Sequence, residues 1–147
     1  MEELLNKIGL PQTIIFVNTT KFTETIFKIL KSKGISVHIM FGKMMREERD
    51  LVMKKFRAGE IKVLLTTNLM SRGIDVPEVA LVINFDVPTE TLDYQARTKK
   101  PDFETYLHRI GRASRFGIPG LALTLCDRDE DEKHLHGIVA HYKMEDK

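Results

Sequence analysis

The 147-residue chain holds a single cysteine, Cys126, so no intrachain disulfide is possible. Cys126 lies in an apolar run, LALTLC, which predicts a buried, inert thiol in a reducing compartment. No apolar run approaches the roughly 20 residues that a membrane-crossing helix needs. The first residues, MEELLNKIGL, carry early acids and only a short apolar stretch, which is not the pattern of a secretory signal. An excess of one charge is also missing. The chain has 23 Lys and Arg against 21 Asp and Glu, a net +2, so any basic site must be local. There is no G-x4-G-K-S/T loop to cradle phosphates and no acidic pair after a strand to hold Mg²⁺. The five histidines do not combine with carboxylates or a second cysteine at metal-ligand spacing, and no Ser-His-Asp arrangement is visible. His134 and His136 lie in a polar helical segment and read as solvated.

What is present fits one α/β domain over residues 1–147, with 42% hydrophobic residues. Residues 13–17 (TIIFV), 37–40 (VHIM), 63–67 (VLLTT), 81–85 (LVINF) and 121–125 (LALTL) read as strands. They are short and nearly continuous in hydrophobicity, as strands covered on both faces are. Helical patterns separate them, over residues 21–33, 45–57, 102–112 and 129–141, with a further short helix over 1–9. In the first of these, Phe22, Ile26, Ile29 and Leu30 share a face, with Thr20 as N-cap and Gly34 as the stop. The second carries Met45, Val52 and Phe56 on one side and ends at Gly59. Strands alternating with crossover helices predict a parallel sheet. The least regular stretch, residues 86–101, contains Pro88, Pro101 and a basic RTKK segment and is long for a compact domain.

Three constellations carry chemistry. In residues 106–117, YLHRIGRASRFG, Arg109 and Arg112 are one helical turn apart and Arg115 follows. None of the three has an acid four residues away, and Gly111 stands beside them. Guanidinium forks suit phosphate bidentately, while a solvated basic helix face is the other reading. In residues 66–77, TTNLMSRGIDVP, a strand runs into a loop with hydroxyls, Gly73 and Asp75. Such loops lie at the carboxyl ends of strands, where α/β ligands bind. Asp75 could accept from a sugar hydroxyl or simply cap a turn. In residues 41–49, FGKMMREER, Arg49 falls in the stripe of Met45, Val52 and Phe56. There it needs an external anion or one of the nearby acids, Glu47, Glu48 or Asp50.

At these residues the chain resembles the DEAD-box ATP-dependent RNA helicases. YLHRIGRASRFG looks like their motif VI, usually HRIGRTGR, and TTNLMSRGIDVP like motif V. IIFVNT at residues 14–19 is similar to motif IV, and FGKMMREER to the intervening HG-x-x-x-Q-x-x-R element. The four occur in family order. The resemblance implies a RecA-like C-terminal lobe, a parallel sheet with helices on both faces. The lobe would be inactive alone and would work with an N-terminal RecA-like lobe that binds ATP and Mg²⁺. It implies that Arg112 and Arg115 reach the γ-phosphate, and that Asp75 with Gly73 lies by the ribose. Thr19, Gly42, Arg46, Arg49 and Thr67 would surround the RNA sugar-phosphate backbone, and His108 and Arg109 would network across the lobe interface. Contacts of that kind bind RNA without reading bases, with the 2′-hydroxyl as discriminator against DNA.

The chain also departs from the family pattern. Arg46 stands for Gln, Phe41 for His, Ala113 and Ser114 for Thr-Gly, and Asn68 for Asp. Asn68 and the long connection into YLHRIGR look similar to the branch that remodels messenger ribonucleoprotein at the nuclear pore. That likeness implies activator or nuclear-pore partners and a place in the cytoplasm or nucleus, with no membrane. The alternative is a stand-alone RNA-binding or protein-docking module on the same fold. A Walker loop and a D-E-A-D strand in a preceding lobe would distinguish the motor from the module.

Overall fold

Alternation within the apolar runs gives this sheet two apolar faces. A computed structural model describes residues 11–67, 77–90, 100–115 and 118–142, with the backbone alone at 114, 115, 118 and 119. Strands β1 (Thr13–Phe16), β2 (Val37–Met40), β3 (Val63–Thr66), β4 (Leu81–Asn84) and β7 (Leu121–Thr124) form a five-stranded parallel sheet of order β2-β3-β1-β4-β7. In β1, Ile14 stands level with Leu64 and Val82, and Ile15 with Leu65 and Ile83. The first row joins Phe16, Met40, Val52, Met53 and Phe56 in one core, so α2 (Arg46–Arg57) covers that face. The second row joins Val17, Ile26 and Leu30, so α1 (Thr20–Ser32) covers the other. Each such fully buried large side chain contributes about 1.5–3 kcal/mol of transfer free energy. The two-faced parallel sheet expected from the strand runs is the one observed.

A third cluster, Val87, Tyr106 and Ile138, packs α3 (Phe103–Ile110) and α4 (Asp129–Tyr142) together beyond the end of β4. Two short strands missed in the sequence, β5 (Ser114–Arg115) and β6 (Ile118–Pro119), pair antiparallel directly after α3. Gly120 follows them because no side chain fits there. A Cβ would lie 2.8 Å from Ala113 C and 2.9 Å from Ala80 O.

The helix ends differ from expectation in detail. Thr19, not Thr20, caps α1, its Oγ1 accepting from Phe22 N at 3.3 Å. Gly34 and Gly59 do stop their helices, at φ 75° and 77°, a left-handed conformation that costs glycine little. The apolar face of α1 is also shifted. Phe22 is 48% and Ile29 50% exposed, while Thr23 is buried with its hydroxyl donating to Thr19 O at 2.8 Å. On α2, Met45 is exposed and Met44 packs on the core in its place. Cys126 is exposed, not buried, because it follows β7, an edge strand whose Leu121 is itself half exposed. Partial burial, then the carboxylates of Asp131, Glu132 and Asp127, push its thiol up.

The middle of the irregular 86–101 stretch and the helix expected at 1–9 lie outside the described residues. The base of that stretch is closed. Thr89 bridges Pro101, Glu90 N donates to Lys100 O at 2.9 Å, and Asp102 N donates to Pro88 O at 2.9 Å. Asp102 then caps α3, its carboxylate accepting from Thr105 N at 2.9 Å.

Candidate nucleic-acid interface

Because the strands of the five-stranded sheet are parallel, their carboxyl ends lie on one edge, the usual place for a ligand in an open α/β sheet. Met40, Thr66 and Phe16 stand level across β2, β3 and β1. The residues that follow them, Phe41–Gly42, Thr67 and Asn18–Thr19, therefore emerge side by side. The buried Thr66 hydroxyl donates to Met40 O at 2.9 Å and pins the ends of β2 and β3 together. Thr19 is exposed, and Gly42 and Thr67 are half buried.

The start of α2 completes this cluster. The Glu48 carboxylate accepts from Met45 N at 3.3 Å, and Arg46 pairs with Asp50 at 3.9 Å. Those contacts occupy two of the acids that stood as bland partners for Arg49. Arg49 is half buried, and among the described residues no carboxylate pairs with it. Arg46, by contrast, is 84% exposed at its side chain.

The three arginines of the second cluster have different surroundings. Arg109 has no exposed surface. Its Nη2 donates to Asn18 Oδ1 at 2.9 Å and its Nη1 to Asp86 O at 3.2 Å, with the Asp86 carboxylate 3.8 Å away. The guanidinium also lies over the Phe16 ring, 5.2 Å from its centroid. Burial, only partly opposed by Asp86 and Asp102, lowers the pKa of Arg109 to about 10. Burial also raises Asp86, against the hydrogen bond from Asn18 N and the charge of Arg109. Sequence distance hid this partner, since Asp86 lies far beyond the neighbouring turns of the helix.

Arg112 is half buried just past the end of α3, and its carbonyl accepts from Val79 N at 2.9 Å. Ala113 bridges Val79 in parallel. The chain leaving α3 thus runs beside the residues that lead into β4. His108 is half buried. Arg115 lies in β5, where the backbone alone is described, and Gly73 and Asp75 lie outside the described residues.

The same edge holds a small polar pocket of about 140 Å³ between Asn18, Thr89, Arg128, Asp131 and His134. Arg128 grips the buried Asp131 through Nε and Nη2 at 2.9 and 3.0 Å. His134 is only 14% exposed at its side chain, against the solvated reading, while His136 is exposed. Among the described residues no group of three or more His, Cys, Asp or Glu is placed to hold a metal ion, and no helix is long and apolar enough to cross a membrane.

Comparison with known proteins matches residues 1–117 to the family described as the helicase conserved C-terminal domain. An ATP-dependent RNA helicase DBP5 of Phaeosphaeria nodorum is 43% identical over 133 residues, covering 90% of this chain and 27% of that protein. The chain therefore spans under a third of that relative's length. Among solved structures, the C-terminal domain of the DEAD-box protein Dbp5 superposes with a TM-score of 0.86 at 37% identity, covering 98% of this chain and 77% of that one. S. cerevisiae Dbp5 bound to RNA and ADP BeF3 gives a TM-score of 0.83 at 37% identity, covering 98% of this chain and 35% of that one. With a parallel RecA-like sheet, four motifs in order and these matches, the chain belongs to the helicase conserved C-terminal domain family, as the C-terminal RecA-like lobe of a DEAD-box protein.

Proposed function

We propose that this lobe serves an ATP-dependent RNA helicase that remodels RNA or ribonucleoprotein, supplying one wall of the RNA-backbone groove and the arginines that act on ATP. The observation that carries the reading is that Thr19, Gly42 and Thr67 follow neighbouring strand ends on one sheet edge, with Arg49 in the first turn of the helix after Gly42 and unclaimed by any carboxylate among the described residues. Hydroxyls, a glycine backbone and a guanidinium suit phosphate and sugar and carry no code for bases. Arg46, exposed at the same helix start, adds charge where the family pattern has an amide.

Arg112 and Arg115 approach the γ-phosphate of an ATP held, with Mg²⁺, by the N-terminal lobe, and Asp75 and Gly73 lie by its ribose. A guanidinium placed on the transferring phosphoryl group stabilises charge in the transition state and is typically worth about 10³–10⁵ in rate. Closure of the two lobes brings these groups together and bends the bound RNA. His108 networks across the lobe interface with the buried Arg109 behind it, and residues 1–147 act as one lobe. In support, S. cerevisiae Dbp5 has been solved with RNA and ADP BeF3, and also with Nup159, Gle1, IP6 and ADP. The second of these supports activator and nuclear-pore partners for this protein too, with a place in the cytoplasm or nucleus.

RNA binding tests the reading. Arg49→Ala should weaken binding by the same factor on unrelated single-stranded sequences and reduce the salt slope by about 1. Loss confined to one sequence would show a groove that reads bases, and unchanged binding on every sequence would place the RNA elsewhere.

A further inference from the structure

Asn18 joins two segments that the proposed function uses separately. Its backbone N–H donates to Asp86 Oδ2 at 2.9 Å, and its Nδ2 donates to Val87 O at 2.8 Å. Its Oδ1 accepts from Arg109 Nη2 at 2.9 Å. The side-chain amide is thus used at both ends, donor and acceptor; Asp keeps only the acceptor that Arg109 uses, and a hydrophobic residue of similar size keeps neither. Thr19, next in the chain, is exposed, caps α1 and belongs to the proposed RNA site. Arg109 sits in the last turn of α3, and its carbonyl accepts from Arg112 N at 3.2 Å. From Thr19 to Arg112 the path is one peptide link, one side-chain hydrogen bond and one helical turn.

Arg109 has no exposed surface. Its charge cannot swing out to water when Asn18 shifts, so it either follows Asn18 or loses a hydrogen bond inside the protein, and the second is costly. We infer that Asn18 is a positioning residue that makes the placement of Arg112 depend on whether RNA occupies the loop at Thr19. Asn18 need touch neither RNA nor ATP. It transmits a displacement of the Asn18–Thr19 loop through Arg109 to the end of α3. The inference rests on the proposed RNA site.

The test uses the chain itself, with the Arg112 Nε–Hε resonance followed by NMR as a single-stranded oligouridine RNA is added. In the wild type, RNA should move the Arg112 resonance. Asn18→Leu, at saturating RNA, should lose that shift, and Asn18→Asp, which keeps an acceptor for Arg109, should retain it. Should Asn18→Leu fail to fold, Asn18→Ala takes its place with the same expectation. RNA binding by the wild type with no movement of Arg112 would overturn the inference and leave the RNA site standing. A full shift in RNA-bound Asn18→Leu would do the same. Absence of RNA binding by the wild type would remove the RNA site, and the inference with it.

Discussion

The Arg109 guanidinium stands 3.8 Å from the Asp86 carboxylate with its own side chain wholly buried. Burial disfavours both charges, lowering Arg109 to about 10 and raising Asp86, so their attraction offsets only part of the desolvation. Removing one partner is then worse than never having had the pair, because it leaves a charge buried with too few acceptors.

Asp86→Ala should therefore destabilise the fold by about 3 kcal/mol, the usual cost of breaking a buried pair. Arg46→Ala, which removes an exposed pair at 3.9 Å, should change stability by less than about 1 kcal/mol. Urea unfolding of the two variants makes the comparison. Equal losses would mean that burial does not separate the two pairs.

His38 gives a pH dependence. Partial burial, then the charges of Lys55 and Lys31, lower its pKa below the usual 6.5. Between the lowered value and the unfolded one, the unfolded chain binds more protons, so stability rises with pH. The contribution is fully present above the unfolded pKa and is lost as pH falls through the folded one. Melting temperatures of wild type and His38→Gln, compared from pH 7.5 down to pH 5, should show the wild type losing more on acidification. Parallel curves would remove His38 as a source of that slope.

Two glycines predict opposite signs. At Gly120 a Cβ would meet backbone atoms of Ala113 and Ala80 at 2.8 and 2.9 Å, so Gly120→Ala should cost about 1–3 kcal/mol through overpacking. Gly137 lies inside α4 with nothing within 4 Å of a built Cβ, so Gly137→Ala should stabilise by about 0.5–1 kcal/mol. Thermal melting separates them, and a stabilised Gly120→Ala would mean that the turn after β6 yields easily.

The five strands were legible because each is a short apolar run, and a strand covered on both faces needs no alternation to be recognised. Register was not legible, yet it decides which helix meets Ile14 and which meets Ile15. Asp86 escaped as the partner of Arg109 because helix spacing reveals only acids a turn away, and this one comes from the end of β4. The pair β5 and β6 escaped because two residues per strand carry no periodicity. The exposure of Cys126 was not legible because an apolar run implies burial only where the strand has neighbours on both sides, and β7 is an edge. Thr19 and Thr20 both offer a capping hydroxyl, and only the backbone path chooses between them. The basic row at Arg109 and Arg112 was legible as a row. That Arg109 is the buried anchor and Arg112 the more exposed member follows from the fold alone.

In the proposed function this lobe completes an ATPase by presenting arginines across a cleft. The direct measurement is RNA-stimulated steady-state ATP hydrolysis by this lobe joined to its N-terminal lobe, with Arg112 and Arg115 replaced singly and melting temperatures recorded alongside. Arg112→Ala and Arg115→Ala should each lower turnover by about 10³-fold or more while melting stays close to wild type. Arg→Lys should rescue poorly, because an ammonium keeps the charge and loses the planar fork. Wild-type turnover in both alanine variants would mean that neither arginine acts on ATP and would leave them as a solvated basic surface.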